Sequence, residues 1–132
     1  MSDAGELNDA HPVAQFLLER PGLGMAYAWA LFLSNQLDRA ESQLNQLTLL
    51  VQNSPSLLGE LYVIRVMIAV RRYDMPAVIE LARQSLALVP PEETSPRSRI
   101  LLSLGYVYYE IGGDVAAAKT AFREAFELSK AL

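Results

Sequence analysis

Apolar side chains recur at helical spacing along most of the chain, and three short polar turns interrupt them: Asn35-Gln36-Leu37-Asp38, Arg72-Tyr73-Asp74 and Gly112-Gly113-Asp114. Ahead of the first turn, Tyr27, Leu31 and Ser34 stand at i, i+4 and i+7, with Ala28, Phe32 and Asn35 beside them. That is the broad apolar face of a helix running from Leu23. Behind the turn, Ala40, Leu44, Leu47 and Val51 share one stripe, which predicts a second helix over 38–51. The next pair of stripes is Leu58, Tyr62, Val66, Ala69 and Tyr73, then Val78, Leu81, Ala82, Ser85 and Leu88, closed by Pro90-Pro91. The last pair is Leu101, Leu104, Gly105, Tyr108 and Ile111, then Ala117, Ala118, Ala121, Phe122, Ala125 and Leu128. No stretch alternates strictly between turn residues, so no sheet is expected. The pattern predicts an all-α chain of about three antiparallel helical hairpins, six to seven helices in all.

Local signals mark the boundaries. Ser54-Pro55 and Ser95-Pro96 each place a hydroxyl cap before a proline, whose missing N–H has no partner in a first helical turn. Asp38 with Glu41 three residues on has the form of a capping box, and Asp38, Asp74 and Asp114 all read as caps for orphan N–H groups. Gly112-Gly113 is expected to end a helix through a left-handed residue. Residues 1–11 are polar and read as a disordered tail. Residues 12–19 suit a short helix stopped by Pro21-Gly22, and the repeat domain is expected to span 12–132. Aligning Ala40, Val78 and Ala118 gives repeat intervals of 38 and 40 residues.

The charge balance narrows the partners. The net charge is −4, from 15 acidic and 11 basic residues scattered as singles and doublets. Without a basic stripe, binding of nucleic acid by this chain alone is not expected. The 132 residues suit one domain that removes about two-thirds of its exposable surface from water. Apolar residues make up 52% of the chain, enough to leave some exposed for a partner. The longest apolar run, Leu23 to Leu33, has 11 residues, against the roughly 20 a membrane span needs. With no basic, apolar leader at the start and no cysteine, the chain reads as cytoplasmic. Chemistry is not indicated. The sole histidine, His11, precedes Pro12 in the tail, and Glu92-Glu93 reads as a solvated loop. No nucleophile, base and orienting group converge, so no catalytic residue, metal or cofactor is expected.

The third hairpin, from Leu104-Gly105-Tyr106-Val107-Tyr108-Tyr109-Glu110-Ile111-Gly112-Gly113-Asp114 to Ala118, Phe122 and Ala125, resembles a tetratricopeptide repeat with one extra glycine in its turn. The other two hairpins match less well. The tetratricopeptide period is about 34 residues, shorter than the intervals found here. Tyr27 to Leu31, Leu37 to Glu41, Leu81 to Glu92, Arg97 and Leu104-Gly105 together resemble the superhelical sensor segment of MalT-like LuxR-family transcription activators. The resemblance implies a right-handed superhelix that receives inducers or regulatory proteins. It does not carry over ATP or DNA binding, because neither a phosphate-binding loop nor a DNA-reading helix is present.

Tetratricopeptide geometry implies a groove lined by the first helix of each hairpin. On this chain it selects Met25, Trp29 and Phe32, then Glu60, Met67 and Arg71, then Arg99, Tyr106, Tyr109 and Glu110. The expected occupant is a protein or peptide, with a small-molecule inducer as the further candidate. Two roles follow: a regulator's sensor segment, or a stand-alone adaptor that assembles a protein complex. Apolar flanks left open at the ends of a short array also predict a homo-oligomer.

Overall fold

A computed structural model describes residues 15–111 and 113–130. After a short helix over 15–19 (α1) come α2 (Pro21–Leu33), α3 (Leu37–Leu47), α4 (Pro55–Arg71), α5 (Met75–Leu88), α6 (Thr94–Glu110) and α7 (Val115–Ser129). The chain is all-α, with no strand among the described residues. The expected tail at 1–11, His11 and Gly112 lie outside them. No described helix is long and apolar enough to cross a membrane.

Three antiparallel hairpins, α2/α3, α4/α5 and α6/α7, stack in sequence. The first two turn in the same way. Asn35 N–H donates to the Phe32 carbonyl and Gln36 N–H to that of Leu31; one hairpin later Tyr73 donates to Val70 and Asp74 to Ala69. Each is a Schellman closure whose central residue is left-handed, Asn35 at φ 62° and Tyr73 at φ 58°. Ala40, Val78 and Ala118, which set the repeat interval, each fall fourth in the second helix of a hairpin, and all three are buried.

Helix α4 explains how the stack holds. It packs against α2, α3, α5 and α6, so it is apolar on nearly every side, as a fully surrounded helix must be. Leu58, Leu61, Ile64 and Ile68 enter a core shared with α2 and α3, while Val63, Val66 and Ala69 enter a second core with α5 and α6. Arg97 closes the α5–α6 link, one guanidinium nitrogen donating to the carbonyls of Leu86 and Val89 at 2.8 Å each. These carbonyls belong to the end of α5, which has no further helical donors.

Several boundaries differ from expectation. Pro21 opens α2 instead of only stopping α1, since its fixed φ suits a first helical position. Helix α3 ends at Leu47, not Val51; Val51 N–H still reaches the Leu47 carbonyl, which keeps Val51 on the buried stripe. Helix α6 begins at Thr94 behind Glu93, placing Ser95 and Pro96 second and third, where backbone donors are still unclaimed. Ser54 is the residue before α4, yet its hydroxyl makes no cap bond. Asp74 and Asp114 do cap, accepting from the N–H of Ala77 at 3.3 Å and Ala117 at 2.9 Å. Asp38 does not: the turn delivers the chain to Gln36 as the cap, and the Asp38 carboxylate is taken by Arg72 at 2.5 Å.

Candidate functional site

The first helices make one continuous layer. Among the described residues α2 packs on α4 and α4 on α6, while α3, α5 and α7 make no comparable contact with one another. α2, α4 and α6 therefore share one face of the stack. Across this face Arg99 of α6 lies over the Trp29 ring of α2, 5.1 Å from the centroid, although α4 separates the two helices in the stack.

Trp29 and Phe32 meet edge to face with ring centroids 5.9 Å apart, one helical turn from each other on α2. The Arg71 guanidinium lies 4.3 Å above the Phe32 ring, and its Nη1 donates to Asn35 Oδ1 at 3.3 Å. A cavity of about 190 Å³ opens beside it between Phe32, Met67, Val70, Arg71 and Ser103. A second, of about 300 Å³, is lined by Val70, Leu102, Ser103 and Tyr106. The two share Val70 and Ser103, so together they form one trough with an apolar floor and an arginine at its edge.

The groups around the trough are unevenly paired. Arg72, just past α4, takes both Asp38 and Glu41, the latter at 2.9 Å. Glu110 accepts from the Tyr73 hydroxyl at 2.9 Å. That hydrogen bond, reinforced by the Glu110 charge, holds the Tyr73 pKa above its ordinary value. Arg71 and Arg99 form no ion pair among the described residues.

Of the residues selected from the sequence, Trp29, Phe32, Met67, Arg71, Arg99 and Tyr106 are brought together here. Met25 is not: at 1% exposure it belongs to the first core, packed beneath α3 and α4. Phe32 is 2% exposed and doubles as core and trough wall, with Arg71 as its lid. Glu60 and Tyr109 line neither cavity, and Glu110 is engaged at the second turn. Val70, Leu102 and Ser103 were not selected, although Ser103 lies between Arg99 and Tyr106 at helical spacing and Val70 three residues after Met67. Helical periodicity applied to the polar face would have found them.

A larger cavity, about 470 Å³, lies elsewhere, between Pro91, Arg97, Leu101 and the α7 residues Arg123, Glu124, Glu127 and Leu128. Its Arg97 is already committed to α5. No cluster of three metal-ligating side chains occurs among the described residues. No protein-family model, curated protein or solved structure matches the chain.

Proposed function

We propose that this chain is a non-catalytic helical-repeat module that holds a protein or peptide partner on the face shared by α2, α4 and α6. The trough itself carries the reading: aromatic, methionine and arginine side chains from the first helices of the three hairpins converge on one open apolar cleft. Such residues dominate the energetics of interfaces. The test is a groove-filling change. Immobilised full-length protein is used to retain partners, and Ser103→Trp, which plugs the shared wall of both cavities, is expected to abolish retention while leaving the helical signal intact. Retention equal to that of the unmodified chain overturns the assignment.

The role of a sensor segment in a MalT-like regulator is favoured over a stand-alone adaptor by the repeat interval, whose three marker residues keep the same fourth position in their helices. In that role the partner is an inducer or a regulatory protein in the cytoplasm. A natural reading frame that continues into a DNA-reading helix-turn-helix supports it, and one that runs into no such module favours the adaptor.

A further inference from the structure

The trough has a chemical preference written in its unpaired charges. Three of the described cations reach a carboxylate: Arg72 holds two, Arg20 lies 3.9 Å from Glu19 and Lys130 reaches Glu127 at 3.4 Å. Arg71 and Arg99 are among those that do not, and they stand beside the aromatic residues of the trough face. The guanidinium carbon of each lies over an aromatic ring, 4.3 Å from the Phe32 centroid and 5.1 Å from that of Trp29, and neither has an acidic partner among the described residues. A guanidinium held over a ring by cation–π attraction keeps N–H donors available for a further partner. Asn35 takes one of the Arg71 donors, and the fork retains others. Neither nearby acid is paired with these guanidinium groups: Glu110 accepts from Tyr73, and Glu60 lines neither cavity.

From this we infer that the partner is an acidic peptide segment, which lays an apolar side chain against Phe32, Met67 and Val70 and a carboxylate against the open edge of Arg71. The inference rests on the groove reading above and adds the class of ligand. Bidentate pairing of a planar guanidinium with a carboxylate is the strong form of this contact, and Arg99 extends the positive rim along the same face. A polar small molecule such as a sugar is poorly matched. The only hydroxyl lining the narrower cavity is that of Ser103, and it already donates to the Arg99 carbonyl at 3.2 Å. A nucleic-acid strand is equally unsuited, since two cations cannot track a phosphate backbone.

Selection of a random linear peptide display library on the immobilised full chain tests the inference. The enriched sequences are expected to combine Asp or Glu with Leu, Ile, Met or aromatic residues. A labelled synthetic representative, followed by anisotropy, is expected to bind about tenfold or more weakly to Arg71→Glu, with Arg71→Lys in between because it keeps the charge and loses the plane. Binding is also expected to fall as salt rises. Circular dichroism of each variant establishes that it remains helical. Enriched peptides that are neutral or basic, yet still lost on Ser103→Trp, overturn the acidic class and leave the groove standing. Peptides that bind Ser103→Trp unchanged overturn the groove and the inference together, as does a library showing no enrichment over a blank surface.

Discussion

Tyr73 carries a conformation that few side chains accept. Its φ of 58° is left-handed, a region where asparagine and glycine are at ease and a bulky residue is strained by about 1–3 kcal/mol. Asn35 fills the equivalent place in the first turn without that difficulty. Tyr73→Gly is therefore expected to stabilise the fold by about 1 kcal/mol in chemical denaturation, while Asn35→Gly changes it little. The Tyr73 hydroxyl gives a second test. Its folded pKa is raised above the ordinary 10.0 by the hydrogen bond to Glu110. A raised value means that the tie contributes in full below the unfolded pKa and is lost as pH climbs through the folded one. Spectrophotometric titration against Tyr73→Phe is expected to show one tyrosine ionising late, and Glu110→Gln to bring it back toward its neighbours. Sequence periodicity had placed Tyr73 on a buried stripe, yet it is 64% exposed. Counting every fourth residue cannot see that the chain leaves the helix at Arg72.

Close approach between helices is set by glycines whose neighbours differ in freedom. A Cβ on Gly59 would come within 2.7 Å of Pro96 Cγ and 3.0 Å of its Cβ, and a proline ring pinned in the first turn of α6 has no rotamer to escape into. A Cβ on Gly105 would meet Phe122 at 2.8 Å, but that ring is 39% exposed and is free to swing outward. Gly59→Ala is thus expected to cost about 1–3 kcal/mol through forced separation of α4 and α6. Gly105→Ala is expected to be near neutral, as better helix propensity offsets the displaced ring. Thermal denaturation of the two variants side by side decides it. Helix identity was legible because each stripe runs for ten residues or more. Helix ends were less so, since proline and serine signals leave a register choice of one or two positions that tertiary contacts make. Asp38 shows the cause: a carboxylate three residues before a glutamate looks like a capping box until Arg72, remote in sequence, claims both.

At the scale of the molecule, each hairpin except the last is covered by the first helix of its successor. The α6/α7 hairpin leaves Tyr109, Ile111, Val115, Phe122 and Phe126 exposed at the end of the stack. Light scattering over a concentration series is expected to show a mass that rises with concentration, and the double change Phe122→Ser and Phe126→Ser to flatten the rise. A monomeric mass at every concentration overturns this. The all-helical stack was legible from the sequence because it follows from local periodicity repeated three times. The site was legible only in part. Trp29 and Arg99 were both selected, but nothing in a linear pattern says that a side chain of α6 reaches α2 past α4, for that depends on how the three helices pack. The same contact is measurable. Trp29 is the only tryptophan, and its ring is covered by a side chain two helices along the first-helix layer. Drawing α6 away from α2 takes that cation off the ring, so the emission of the unlabelled protein reports whether the first and third hairpins keep their spacing.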